Sequence, residues 1–599
     1  MITKKIPKRS EVRKEDTWAT EDIFENDAAW ERAFADAAKY PELISSYKGK
    51  IGKSSEALLS YLKLNDEAGI ALEMLHGYAH LKSDEDTGNS AYQTMTGKFM
   101  SWYTSLAAAD AFSNPEIISV SDEDMERFYR EQPELMLYRR MLDKIRAKKA
   151  HTLPEAEEKL LASASEMAGA SSKTGSSFRN ADLRFPDVLD SEGNPHQLTQ
   201  GSYIPYVESS DRTLRKNAFE TLYHTFESFR NTAASLLDGQ MKQLKFFSQA
   251  RGYKSALEAS LFRTEVPKEV YFNLIDTVHR NMGHMHRYMK LRKKLMGLDE
   301  LHMYDIYPTL VSEAENKITF DEAKETVLKA IEPLGNEYVQ TVRHAFNERW
   351  IDVYENEGKR GGAYSAGCRP HPYILLNHED SLNSMFTLAH EMGHAMHSYL
   401  SMKNQPAVYS DYVIFVAEVA STCNEALLMS YLLEKTQDKK QRAYLINYFL
   451  EQFRTTLYRQ TMFAEFELKM SEIVESGGVL TADELCKLYH ELNVLYYGDD
   501  VVIDKEIDME WARIPHFFMN FYVFQYATGF SAAMALSKKI LTEGESAVKD
   551  YLGFLSGGCS KTPIELLRGA GVDMTTPAPI KSALDTLGEL ITELEQLMK

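Results

Sequence analysis

The residues with the clearest capacity for chemistry are His390-Glu391-Met392-Gly393-His394. Just before them, Asp380, Ser381, Asn383 and Ser384 offer side-chain oxygens able to cap a helix. Phe386, Ala389, Gly393, Met396 and Leu400 then recur at helical spacing. On such a helix His390 and His394 share one face, where two imidazoles can reach a single ion. Glu391 falls about 100° round the axis from His390, beside that ion and able to hold a water against it. Zinc suits these ligands and lowers the pKa of its water to about 7, so Glu391 would take the proton as hydroxide attacks a carbonyl. Gly393 lacks a side chain and permits another segment to come close. His397 lies on a similar face but about 10 Å along the axis from His390, too far to share the ion on a straight helix. It is expected to pack or hydrogen-bond nearby, outside the ligand set.

A third ligand must then come from a second helix. Glu418 sits within Ile414-Phe415-Val416-Ala417-Glu418-Val419-Ala420-Ser421-Thr422, among apolar and small residues. A carboxylate there is costly to bury without a partner such as a metal. Glu425, two helical turns on, shares its face and can accept the free N–H of a ligating histidine. An ordinary surface carboxylate is nearly as good a reading of Glu425.

The elements that must position these groups are helical almost throughout. Residues 55–110, 120–150, 154–170 and 208–300 show apolar positions at helical period. The first break is expected near 171–200, where Ser171-Ser172-Lys173-Thr174-Gly175-Ser176-Ser177 is small and polar. Residues 183–189 suggest part of a hairpin, and Ser191-Glu192-Gly193-Asn194-Pro195 a turn. A domain boundary is placed near 200. The second break, Gly358 to Tyr364, leads into Pro372-Tyr373-Ile374-Leu375-Leu376-Asn377, which reads as a strand. Its edge would serve either an extended peptide or an ordinary hairpin. Residues 580–599 form an amphipathic helix expected to pack on the body.

With 599 residues the chain is too long for one core. Its net charge of −20 argues against nucleic acid or an anionic membrane as partner. Cys368, Cys423, Cys486 and Cys559 lack CxxC spacing and suggest reduced thiols. The basic start of the chain lacks the apolar core of a signal peptide, and no apolar run is long enough to span a bilayer. A cytoplasmic protein is expected.

At this point the sequence resembles the oligoendopeptidase F branch of the thimet oligopeptidase-like zinc metallopeptidases. The resemblance rests on residues 390–397, on Phe415 to Thr422, and on Ile514-Pro515-His516-Phe517-Phe518 with Asn520 to Gly529. It covers roughly residues 200–590, and the helical N-terminal third is similar in kind. Met392 stands where the family usually has Phe. The resemblance implies a mainly α, two-lobed metallopeptidase with a deep central channel and a small β-sheet beside the zinc helix. It divides the chain into an N-terminal helical domain, 1–200, and a catalytic domain, 201–599. It makes Glu418 the third ligand of one zinc ion per chain. It also implies that His516, Tyr526 and, less closely matched, Tyr522 bind the oxyanion and substrate backbone. Gly529 occupies a place where other branches carry a further tyrosine. From the residues alone, Tyr522 and Tyr526 among Phe517, Phe518, Phe521 and Phe524 read more readily as core.

The expected activity is endopeptidase action on short unstructured oligopeptides. One rival is a zinc carboxypeptidase or dipeptidyl carboxypeptidase, which needs a cation for the substrate's C-terminal carboxylate; Arg360, Arg369 and Arg513 are candidates. The other is a peptide-binding protein with structural zinc, which the N/O ligand set and Glu391 oppose.

Overall fold

The computed structural model describes residues 6–311 and 317–599. Helices dominate, as the periodicity predicts. The chain divides into two compact units. Met1–Ala150, Asn316–Leu428 and Leu536–Gly571 form the first, and His151–Glu315, Met429–Ala535 and Val572–Lys599 the second. Each is therefore assembled from three separated stretches of chain.

In the first unit the helix Ser55–Glu85 is capped by Ser54, whose side chain accepts the Ala57 N–H. It buries Leu58, Leu62, Leu75 and Leu81 in a core shared with Trp30, Phe99 and Trp102. The Trp30 indole donates to the Leu75 carbonyl at 3.0 Å, so the polar atom of this large ring is satisfied within the core. In the second unit the last helix, Ala578–Leu597, buries Leu584, Leu587, Ile591 and Leu594, the packing role expected of it.

The expected break at 171–177 is instead a helix, Ala170–Ser177, continued by a π-helical turn, Phe178–Asp182. Its small residues serve close packing. A Cβ on Gly239 of the neighbouring helix Arg230–Ala250 would lie 2.4 Å from the Ser171 hydroxyl, and one on Gly175 3.3 Å from the Phe518 ring. Composition that reads as a loop is here the price of two helices in near contact.

Strands are few and short. β1 (Val188–Leu189) and β2 (Pro195–His196) form the anticipated hairpin, with Gly193 in the left-handed region at φ +84°. β3 (Leu301–His302) pairs in parallel with a later strand, β7 (Val501–Val502). The remaining sheet belongs to the first unit: β4 (Ile351–Asp352), β5 (Tyr364–Ala366) and β6 (Tyr373–Leu375), in the order β4-β6-β5. The predicted strand at 372–377 is thus β6, but it is central, parallel to β4 and antiparallel to β5. Tyr373, Ile374 and Leu375 are all fully buried, the mark of a strand covered on both faces. The outer strands are instead β4, which is buried, and β5, which is half-exposed. Among the described residues no helix is long and apolar enough to cross a membrane.

Candidate metal centre

Two helices build the centre, and the residues they bring to it lie in the first unit. The first, Leu382–Asn404, begins at Ser381, whose hydroxyl accepts the Ser384 N–H at 3.2 Å. It turns Met385, Leu388, Ala389, Met392 and Met396 into the core and packs on β5 and β6, so the small sheet does lie beside it. The second, Ala417–Lys435, carries Glu418 and Glu425.

The helices meet at Gly393. A Cβ there would stand 2.6 Å from both the Ala420 carbonyl oxygen and the Ser421 Cα, closer than atoms of this kind pack. Hydrogen fills the space that a methyl cannot. Asn424, fully buried, adds a cross-tie by donating to the Ala389 carbonyl at 3.2 Å while accepting from Tyr338 at 3.3 Å. Asn424 was not singled out from sequence, although an amide inside an apolar run is a signal of such a role.

This approach brings three ligand atoms together. His390 Nε2 and His394 Nε2 are 3.2 Å apart, and Glu418 Oε2 lies 3.4 Å from the first and 3.6 Å from the second. Ligand bonds of about 2.0–2.2 Å at tetrahedral angles require spacings of about 3.3–3.6 Å, so the three atoms fit one zinc-sized ion. They form the one His/Cys/Asp/Glu group of this kind among the described residues. His390 Nδ1 meets Glu425 Oε1 at 2.9 Å. Donation of Nδ1–H to that carboxylate leaves the Nε2 lone pair facing the other two ligand atoms.

The electrostatics favour a positive charge at this point. Burial opposes ionisation of Glu418, but hydrogen bonds to His390 and His394 outweigh it and hold the carboxyl well below the usual range. Burial likewise opposes a charged His390, yet Glu418 and Glu425 raise its pKa well above the ordinary imidazole value. A proton and a metal cation compete for such a site. Glu391 is buried, which pushes its carboxyl above the ordinary range against the pull of His390 and His394. His397 stands apart from the ligand atoms. It is fully buried, stacked at 3.7 Å on Tyr412 and tilted against Phe554, and burial pushes its pKa down to about 3. It is a neutral packing residue, as its axial offset predicts.

His516, Tyr522 and Tyr526 gather in the second unit. Ring centroids are 6.5 Å apart for His516 and Tyr522, 6.0 Å for His516 and Tyr526, and 5.3 Å for the tyrosine pair. Phe517, Phe521 and Phe524 are buried, whereas Phe518, His516, Tyr522 and Tyr526 are half-buried. Burial, then the charge of Arg459, lowers the His516 pKa, so its ring is neutral at pH 7. The three arginines considered as carboxylate receptors all have acidic partners. Arg360 meets Asp84 at 3.3 Å, Arg369 pairs with Glu73, and Arg513 meets Glu510 at 3.3 Å.

A helix bearing His-Glu-x-x-His, met by a glutamate from a second helix, is the centre of a metallopeptidase. The model of peptidase family M3 matches residues 206–586, and that of oligopeptidase F matches residues 116–185. The chain belongs to peptidase family M3, in its oligopeptidase F group. It is 48% identical to oligopeptidase PepF of Bacillus subtilis, covering 99% of this chain and 89% of that protein. It is 40% identical to group B oligopeptidase PepB of Streptococcus agalactiae, covering 98% of each. The crystal structure of oligoendopeptidase F from Enterococcus faecium superposes with a TM-score of 0.75 at 38% identity, over 95% of this chain and 99% of that one.

Two outcomes test the geometry. Gly393→Ala should lower the thermal midpoint, at about 1–3 kcal/mol for overpacking, and weaken zinc binding because it parts the helices. A variant with unchanged midpoint and unchanged zinc titration would show that the close approach is not required. Glu425→Gln should weaken zinc binding by about 10–100-fold while leaving the fold intact by circular dichroism.

Proposed function

We propose that the protein is a zinc-dependent endopeptidase that hydrolyses internal peptide bonds of short unstructured oligopeptides. The observation that carries this reading is the convergence of His390 Nε2, His394 Nε2 and Glu418 Oε2 within bonding reach of one ion, with Glu391 buried beside them. His390, His394 and Glu418 hold the metal, and Glu425 orients His390. Zinc bound there supplies Lewis acidity and a water nucleophilic near neutral pH. Glu391 accepts the proton of the attacking water and passes it to the leaving amine; its raised pKa suits both transfers. His516, Tyr526 and Tyr522 donate hydrogen bonds to the oxygen on which negative charge develops and to the substrate backbone. Family membership and the fit of Ile514 to Gly529 to the family pattern support those three roles.

The half-exposed outer edge of β5 can pair with an extended peptide through main-chain hydrogen bonds, which grip without demanding a sequence. Endopeptidase action is favoured over terminal trimming because Arg360, Arg369 and Arg513 each already face a carboxylate. The names of the relatives, oligopeptidase and oligoendopeptidase, favour oligopeptide substrates. Structural zinc is disfavoured because none of the four cysteines joins the ligand group. Every residue given a role here falls in 201–599, which we assign as the catalytic domain, with 1–200 as an N-terminal helical domain.

An internally quenched unstructured oligopeptide should be cut at internal bonds, with products identified by mass. Cleavage should vanish with a chelator and return with zinc; release of terminal residues alone would overturn the endopeptidase assignment. Glu391→Gln should bind zinc stoichiometrically yet lose turnover by at least about 10³-fold, and a zinc-loaded active variant would remove Glu391 from the mechanism.

A further inference from the structure

His516 and the two tyrosines are joined by a stretch of unusual backbone. Asn520 and Phe521, neither of them glycine, both occupy the left-handed region, at φ +57° and +58°. Two consecutive residues of this kind, one of them a bulky aromatic, hold only where the surroundings impose them. Three tethers do so. Ser260 Oγ donates to the Asn520 carbonyl at 2.7 Å, and Gln240 Nε2 donates to the Asn520 side-chain oxygen at 2.9 Å. The Phe521 N–H, at the turn's centre, donates to Glu467 Oε1 at 2.6 Å. The Phe521 ring is then gripped edge-on by Tyr271 at 6.0 Å.

Glu467 is the unexpected member. It lies inside the helix Arg459–Glu475, is fully buried, and has no cation among its described partners. Its second oxygen, Oε2, lacks a hydrogen-bond partner among the described residues. A buried carboxylate in that setting would be expensive, whereas a carboxylic acid offers Oε1 to Phe521 without a net charge.

We propose that Glu467 is a positioning residue for the reaction: as a neutral acid it clamps the Phe521 amide and so fixes the left-handed turn that sets Tyr522 and Tyr526 beside His516. This rests on the roles proposed above for those three residues. Burial, partly offset by the Phe521 N–H, pushes the Glu467 pKa up to about 8. Tyr271 also faces it; its hydroxyl donates to the Ala464 carbonyl and burial raises its pKa well above 10. Tyr271 therefore stays neutral across the relevant range. The proton on Glu467 is held more tightly in the folded than in the unfolded chain. Its contribution to stability is complete below the unfolded carboxyl value and is lost as pH rises through about 8. Ionisation there loads the turn with an unpaired buried charge.

The test compares zinc-loaded wild-type enzyme, Glu467→Gln, Glu467→Leu, His516→Ala and Tyr526→Phe on the quenched oligopeptide. Glu467→Gln, which keeps the accepting oxygen, should retain kcat within about threefold at pH 7, because it keeps the hydrogen bond and adds no charge. It should lack the loss of kcat and of thermal midpoint that the wild type shows on passing pH 8. Glu467→Leu, which keeps the volume and removes the acceptor, should lose kcat by about a hundredfold with KM and zinc content little changed, the scale of a misplaced catalytic group. If Glu467→Leu folds too poorly to assay, the pH profile of Glu467→Gln decides. An alkaline limb identical to wild type in Glu467→Gln, or full kcat in Glu467→Leu, would overturn the proposal. Full activity in His516→Ala and Tyr526→Phe would instead overturn the underlying assignment of those donors.

Discussion

The metal centre depends on one steric fact, that two helix backbones touch at Gly393. For Glu418 and two imidazoles projecting from another helix to share one ion, the carboxylate would have to lie within about 3.5 Å of both, and side chains of this length span the gap only if the axes are close. Hydrogen at Gly393 allows the Ala420 carbonyl and Ser421 Cα to enter the space where any other residue carries a Cβ. The buried amide of Asn424 fixes the same contact by bonding to the backbone of Ala389. The histidine spacing supplies the donors, and the glycine supplies their distance from the third.

That proximity is also an electrostatic arrangement. Glu418 and Glu425 concentrate negative charge on one side of two imidazoles, while burial raises the Glu391 carboxyl above its ordinary range. Charges packed this tightly are unfavourable for a fold in isolation and become favourable when a cation joins them. The hydrogen bond from His390 to Glu425 chooses the ring nitrogen that faces the ion. Similar reasoning separates the two outlying histidines. His397 is neutral because full burial penalises its charge, and His516 is neutral because it is half-buried near Arg459.

Much of this centre was legible in the sequence, because short-range helical geometry alone puts His390, Glu391 and His394 together and excludes His397. Glu418 was legible for another reason, the energetic oddity of a carboxylate in an apolar run, whereas Glu425 was marked only by sharing its face two turns on and read nearly as well as a surface carboxylate. The helical class followed from periodicity. Residues 170–177 were misread because serine and glycine carry the same composition in a loop and in a close-packed helix; only the neighbour at Gly239 distinguishes them. The strand at 373–375 was read correctly as a strand, but pairing on both edges is a property of β4 and β5, not of its own residues. Glu467 escaped notice altogether. Nothing local marks a glutamate whose partner, Phe521, is 54 residues away.

The interleaving of the two units bears on how the chain can be made. The first unit draws on three stretches, the last of them Leu536–Gly571. A ribosome that has released residue 435 has produced both ligand helices, yet not Phe554, against which His397 packs. Completion of the ligand-bearing unit therefore waits for nearly the whole polypeptide, since its contacts span well over a hundred residues of sequence. An amino-terminal fragment that ends before Leu536 lacks one of the three stretches from which the unit bearing the centre is built.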